Sequence, residues 1–249
     1  MNWVGGWRGE TRKQMFDGSS WIRRLAFAVL VAALPVALVP ARAYAQGRPS
    51  RPEEIEWTWE ARPAHVDSKL PNVLLVGDSI TRNYYPETQR QLSGVANVYL
   101  MATSASVGDP RLPRQLADFS STEAVSFDVV HFNNGMHGWT YSEGDYRTAF
   151  PSFLAAVRAI APGGAFIWAT TTPVKVDARP GPTNARVDAR NGIAQIFVRD
   201  AGIPVDDQHQ LMTRHADQYE DTVHFGRAGA TMQGRQAAQC IRSSLAKPR

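Results

Sequence analysis

The chain lacks the features by which several protein classes are recognised. Its 249 residues include a single cysteine, Cys240, which excludes an intramolecular disulfide. His209 and His215 stand six residues apart and so fall on different faces of a helix; we find no metal-ligand set and expect no metal or cofactor. The basic residues are scattered, the net charge is only +4, and no compact basic run follows the first 45 residues. Nucleic acid is therefore not an expected partner.

No apolar run reaches the roughly 20 residues that a membrane-spanning helix needs. Residues 25–40 form an apolar segment of 16 residues with two prolines, preceded by two adjacent arginines and followed by Ala-Tyr-Ala at 43–45. This three-part layout predicts a signal peptide over residues 1–45, cleaved after Ala45, with Met15 as an alternative start. We expect export to the periplasm or beyond, with no stable membrane span after cleavage; a retained membrane anchor is the alternative.

Hydrophobic residues make up 43% of the chain and charged residues 20%, which is typical of a folded globular protein. Residues 46–70 are predicted to be an N-terminal arm whose two tryptophans cover a sheet edge, and residues 71–249 to be one domain. Strand and helix patterns alternate in that domain, which predicts a three-layer α/β/α fold, a doubly wound sheet of about five parallel strands. The predicted strands are 73–76, 96–102, 127–133, 165–171 and 203–207; the predicted helices are 83–94, 111–119, 144–160, 191–201 and 227–245; residues 173–191 are predicted to be a long loop.

Gly77-Asp78-Ser79 follows the first predicted strand. Four consecutive aliphatic residues precede it, as expected of a strand buried on both faces, and parallel sheets place their chemistry at the carboxyl ends of such strands. A helix starting just behind Ser79 would bring the serine N–H close to a helix N-terminus, which suits a nucleophile whose oxyanion needs donors. Taken alone, Gly-Asp-Ser is more often only a turn.

A second short motif, Asp221-Thr222-Val223-His224, stands just before the last predicted helix. An aspartate three residues ahead of a histidine can bond the imidazole and fix its tautomer, which makes the histidine a general base for a serine. The alternative is a plain helix cap with a surface histidine. Because both motifs fall where a doubly wound sheet gathers its loops, Ser79, His224 and Asp221 are the candidate catalytic residues.

These two motifs resemble the first and last blocks of the SGNH (GDSL-type) hydrolase family, and the resemblance extends from about residue 72 to residue 246. It implies a flavodoxin-like sheet and an esterase in which Ser79 attacks, His224 takes the proton and Asp221 orients the imidazole. The sequence around Ser79 has no Gly-x-Ser-x-Gly, which points away from the nucleophile elbow of the α/β-hydrolases.

The family resemblance also implies an oxyanion hole made of the serine N–H, a glycine N–H after the second strand and an asparagine side chain after the third. Gly108 fits the second role. The usual third block, Gly-x-Asn-Asp, is replaced here by Gly-Met-His-Gly at 135–138. We expect His137 to donate in place of the asparagine, with Asn133 as the second candidate. For Asn134, a structural role in the turn competes with a catalytic one.

The expected function is an exported serine esterase acting on short-chain acyl esters, with O-acetyl groups on a carbohydrate or a similar small polar molecule as substrate. Small residues around Gly108, a polar long loop and the lack of an evident apolar lid motivate this substrate class. Two alternatives remain: a lipase- or thioesterase-type acyl hydrolase, and a non-catalytic envelope polysaccharide-binding protein on the same scaffold. Candidate pocket residues, for which structural roles are equally compatible, are Trp139, Tyr141, Arg186 and Arg190.

Overall fold

The computed structural model describes residues 49–246. The predicted signal peptide, with its cleavage site and alternative start, lies outside the described residues. The strands are β1 (Thr58–Ala61), β2 (Asn72–Gly77), β3 (Asn97–Thr103), β4 (Val129–Phe132), β5 (Ala165–Ala169) and β6 (Val205–Asp206); the helices are α1 (Ser79–Gln91), α2 (Arg111–Glu123), α3 (Glu143–Ala159), α4 (Asn184–Asp200), α5 (Gln208–Thr213) and α6 (Arg227–Leu245), with a 3₁₀ helix at Ala216–Gln218.

The strands form one mixed sheet in the order β1-β3-β2-β4-β5-β6. The prediction of a three-layer α/β/α fold is confirmed, and the five strands from β2 to β6 are parallel. The remaining strand, β1, lies antiparallel to β3 at the sheet edge and was not predicted. It is four residues long and mostly exposed, and its sequence, Thr-Trp-Glu-Ala, lacks the continuous aliphatic run of the central strands.

Helices cover both faces of the sheet. Alternate residues of each central strand point to opposite faces, so each strand contributes apolar side chains to both sides. Leu74 and Val76 of β2 pack in a cluster with apolar residues of α2, α3 and α4. Val73 and Leu75 belong to a second cluster with residues of α1 and α6. Between residues 49 and 246, none of the helices combines the length and apolar character needed to cross a bilayer.

Helix α4 corrects the predicted loop at 173–191. The helix begins at Asn184, capped by the Thr183 side chain, which accepts the Arg186 N–H. Its first turns carry Arg186 and Arg190, and Arg190 is buried. Because these inward-facing positions hold arginine, the apolar periodicity that normally reveals a helix is absent there, and the segment looks like a polar loop in the sequence.

The order of the strands determines which loops meet. Strand β2 lies between β3 and β4, all three parallel, so the segments that follow them emerge side by side at one edge of the sheet. Ser79 follows β2, Gly108 follows β3, and residues 133–141 follow β4. The residues expected to form the oxyanion hole therefore converge on one edge.

Candidate active site

Ser79 is the first residue of α1 and follows β2 after a single intervening residue, Asp78. Asp78 caps the helix, because its side chain accepts the Ile80 N–H at 3.0 Å. The Ser79 hydroxyl lies 2.7 Å from Nε2 of His224, a residue 145 positions later in the sequence. The turn between β2 and α1 thus places the serine at the carboxyl edge of the sheet, in hydrogen-bond contact with an imidazole.

Asp221 completes this arrangement. Its Oδ2 lies 2.7 Å from His224 Nδ1, and its Oδ1 accepts the backbone N–H groups of Val223 at 2.8 Å and His224 at 2.7 Å. Burial alone would raise the pKa of Asp221, but these backbone hydrogen bonds, together with the His224 side chain, hold it below the usual range. The carboxylate is therefore ionised near neutral pH and keeps a hydrogen on Nδ1.

The three side chains are arranged so that His224 can take the serine proton while Asp221 orients the imidazole. With a hydrogen on His224 Nδ1, Nε2 carries a lone pair facing the Ser79 hydroxyl at 2.7 Å. The Ser79 N–H belongs to the first turn of α1, whose N–H groups have no partner inside the helix and carry its positive end. Over residues 49–246, no group of three or more His, Cys, Asp and Glu side chains is arranged to hold a metal ion.

The loop after β3 is tied to the loop after β4. Asn134 accepts the Val107 N–H at 2.8 Å and donates to the Ala105 carbonyl at 2.9 Å, so its amide holds the Gly108 loop in place. Gly108 has a φ of +102°, and a Cβ there would lie 3.3 Å from the Tyr141 ring. Both the backbone conformation and the close ring favour glycine at this position.

The two candidates for the third oxyanion donor differ in their surroundings. Asn133 directs its amide hydrogens at the Ala169 carbonyl, 2.7 Å away, and at Thr171 Oγ1, 3.1 Å away. His137 is bonded through Nδ1 to Glu53 Oε2 at 2.9 Å, so Nε2 is the ring nitrogen that it can offer to a substrate. This geometry favours His137 over Asn133, and the role itself stays a prediction.

Arg190 holds the loop that carries His137. Its guanidinium is buried and donates to the carbonyls of Gly135 at 3.0 Å, His137 at 2.7 Å and Gly138 at 3.0 Å. It also stacks over the Trp139 ring, 4.0 Å from the centroid. Arg186 adds bonds to the carbonyls of Trp139 and Tyr141. These candidate pocket residues thus contact one another and the loop backbone. In addition, Arg186 pairs with Glu143, and the Tyr141 hydroxyl accepts the Arg51 N–H.

We predict that Arg190→Lys loosens this loop. A lysine keeps the charge but cannot hold three carbonyls in a planar fork, so the free energy of unfolding should fall by about 2–4 kcal/mol. Displacement of the His137 loop should also reduce kcat for ester hydrolysis by about tenfold or more. Denaturant unfolding and initial rates measure both effects. Arg199→Lys, at an exposed position of the same helix, is the matched control, and equal behaviour of the two variants would contradict the prediction.

Several solved structures of known proteins are similar in fold to this chain. No family model matches the sequence, and no curated protein matches it. Among solved structures, a GDSL-like lipase from Bacteroides thetaiotaomicron superposes with a TM-score of 0.56 at 15% identity, covering 73% of this chain and 93% of that one. The chain has the SGNH-hydrolase fold. At this level of identity, the likeness extends to architecture alone.

Two further structures with the SGNH-hydrolase architecture are similar to this chain. A carbohydrate esterase family 3 protein from Talaromyces cellulolyticus has a TM-score of 0.55 at 17% identity, with 72% of this chain and all of that one covered. The C-terminal catalytic domain of peptidoglycan O-acetyltransferase A from Streptococcus pneumoniae, with a methylsulfonyl adduct, has a TM-score of 0.50 at 20% identity, with 72% and 97% covered.

Glu53 contacts this site and was not predicted from the sequence. It lies in the N-terminal arm, where its carboxylate contacts both His137 and the Gly138 N–H. Its sequence context, Pro52-Glu53-Glu54, looks like a solvated charged segment and provides no signal of this contact.

Proposed function

We propose that this protein is a serine esterase that hydrolyses short-chain acyl esters, with O-acetyl groups on carbohydrates as its substrate class. The observation that carries the proposal is the hydrogen-bonded series Ser79, His224 and Asp221 at the carboxyl edge of an SGNH-hydrolase sheet. We further propose that it acts in the periplasm or outside the cell, on the basis of the signal-peptide pattern of residues 1–45.

The mechanism follows from these contacts. Ser79 Oγ attacks the acyl carbonyl carbon while His224 Nε2 takes the hydroxyl proton, and the carbonyl oxygen becomes an oxyanion. The Ser79 N–H, the Gly108 N–H and His137 are its proposed donors. Collapse of the tetrahedral intermediate breaks the ester C–O bond, and His224 returns the proton to the departing alcohol. Water, deprotonated by His224, then attacks the acyl-enzyme; the bond to Ser79 Oγ breaks, His224 returns the proton to that oxygen, and the acid is released.

The preference for small acyl groups is supported by the close packing of the loops beside Ser79. A Cβ on Gly138 would lie 1.9 Å from Ser106 Oγ, and a Cβ on Gly108 would meet Tyr141 at 3.3 Å. The Gly108 and His137 loops thus pack directly against each other, and this close packing motivates the proposal of a small acyl pocket. The similarity to a carbohydrate esterase and to an O-acetyltransferase domain agrees with acetyl chemistry.

We predict that kcat/KM for p-nitrophenyl esters falls about tenfold or more between acetyl and octanoyl, because the closely packed loops exclude the longer chain. Initial rates across acyl lengths measure this. A rate that rises with chain length would indicate the lipase or thioesterase alternative. Absence of hydrolysis, together with failure of a fluorophosphonate probe to label Ser79, would indicate the non-catalytic polysaccharide-binding alternative.

A further inference from the structure

The N-terminal arm lies against the two loops that flank Ser79. Before β1 begins, residues 50–57 make polar contacts with both loops, and these contacts bridge 46 to 90 positions in sequence. The arm is therefore part of the site's wall. Two of its carboxylates reach these loops: Glu53 contacts His137 and Gly138, and Glu56 contacts Ser104 and Arg111.

Glu53 uses both carboxylate oxygens to bind the loop that carries His137. Glu53 Oε2 lies 2.9 Å from His137 Nδ1, and Oε1 accepts the adjacent Gly138 N–H at 2.8 Å. The Trp57 ring packs edge-on against the imidazole with centroids 5.6 Å apart. Only 16% of the His137 side chain is exposed. The ring orientation is thus determined by the arm and by the backbone of its own loop.

This geometry determines what His137 can donate. An ionised carboxylate only accepts hydrogen bonds, so the hydrogen facing Glu53 must lie on Nδ1 of His137. A neutral imidazole has one N–H hydrogen, and if that hydrogen lies on Nδ1, Nε2 carries a lone pair that would repel an oxyanion. Nε2 becomes a donor only when the ring is an imidazolium.

The charges around His137 favour that form. Burial alone would lower the pKa of His137, but the hydrogen bond to Glu53 and the negative charges of Asp78, Glu53 and Glu56 raise it overall. In turn, burial would raise the pKa of Glu53, while its hydrogen bond and charge interaction with His137 lower it. From α4, the cation Arg190 bonds the His137 carbonyl.

We propose that Glu53 is a positioning residue that keeps His137 as an imidazolium, so that the third oxyanion donor is a charged Nε2–H in place of an asparagine amide. The proposal rests on the proposed esterase function and on His137 as the third donor. A charged donor forms a stronger hydrogen bond to a developing oxyanion than a neutral amide does. It also makes the rate depend on the protonation of His137.

The pH dependence of kcat/KM tests this proposal. Wild-type kcat/KM should fall as the pH rises through the pKa of His137, because the Nε2 donor is lost there. This fall is the alkaline limb of the pH profile. Glu53→Gln removes the charge that favours the imidazolium, so this alkaline limb should move down by about one pH unit. His137→Asn, which supplies a neutral amide, should abolish the limb. In that background Glu53→Gln should have no further effect on the pH profile.

Glu54→Gln is the matched control, because it removes the same charge from the adjacent, exposed position of the same arm. NMR titration of the His137 imidazole in full-length Ser79→Ala protein, with and without Glu53→Gln, measures the pKa independently of activity. Three results would overturn the proposal: an alkaline limb and a His137 pKa that do not move in Glu53→Gln, an equal shift in Glu54→Gln, or an alkaline limb that persists in His137→Asn. Failure of the esterase function itself would appear separately, as wild-type protein that neither hydrolyses esters nor reacts with fluorophosphonate.

Discussion

Ser79→Ala is expected to lower kcat for p-nitrophenyl acetate by on the order of 10⁴- to 10⁶-fold. The hydroxyl that lies 2.7 Å from His224 Nε2 is the group that attacks the acyl carbon and forms the acyl-enzyme in the proposed mechanism. Without it, the remaining donors can polarise the ester but no acyl-enzyme forms. KM should change little, because the substituted atom contributes to bond formation more than to ground-state binding.

The same variant should remain folded. The hydrogen bond to His224 is lost, at a cost of about 1 kcal/mol in the free energy of unfolding, while the Asp78 cap and the packing of α1 are unchanged. Ser243→Ala, which removes an exposed hydroxyl from α6, is the matched control and should retain full activity. Combining Ser79→Ala with His224→Ala should add almost no further loss, since the two groups act as a unit. Retention of activity within tenfold of the wild type would exclude Ser79 as the nucleophile.

The central sheet and the position of the candidate triad could be predicted, because short local patterns in the sequence mark the strands, the helices and the two motifs. The aliphatic run at 73–76 has the length and composition of a buried strand, and the last helix was predicted with the bounds it has, Arg227–Leu245. Ser79 and His224 are each marked by a short motif beside such an element. Their contact spans 145 positions, and it followed from the topology of a parallel sheet rather than from any local pattern.

Glu53 and Arg190 show what could not be predicted. Each meets the 133–141 loop across a long sequence separation, 84 positions for Glu53 to His137 and 53 for Arg190 to the His137 carbonyl. Neither has a periodic context: Glu53 lies in the part of the arm before β1, where there is no helix or strand, and Arg190 occupies a position where an apolar residue would have revealed the helix. Pairing of charged groups over such distances is decided by tertiary packing, which composition and spacing do not encode.

The second large effect is expected for Asp221→Asn, which should reduce kcat by about 10⁴-fold although it changes one oxygen to an NH₂ group. Asp221 Oδ1 accepts two backbone N–H groups, so an asparagine should place its carbonyl oxygen there and direct its NH₂ at His224 Nδ1. An NH₂ group only donates, so Nδ1 must become the acceptor and the ring hydrogen moves to Nε2. In that tautomer His224 cannot take the Ser79 proton.

Asp221→Ala separates this tautomer effect from the loss of charge. Alanine also removes the carboxylate, but it leaves the imidazole free to adopt the productive tautomer, so Asp221→Ala should retain more activity than Asp221→Asn. Nitrogen NMR of His224 should show the hydrogen on Nε2 in the asparagine variant and on Nδ1 in the wild type. Asp200→Asn, an exposed carboxylate on α4, controls for the change in net charge. If alanine were as damaging as asparagine, Asp221 would act mainly by stabilising the imidazolium, because the neutral tautomer would then not determine the rate.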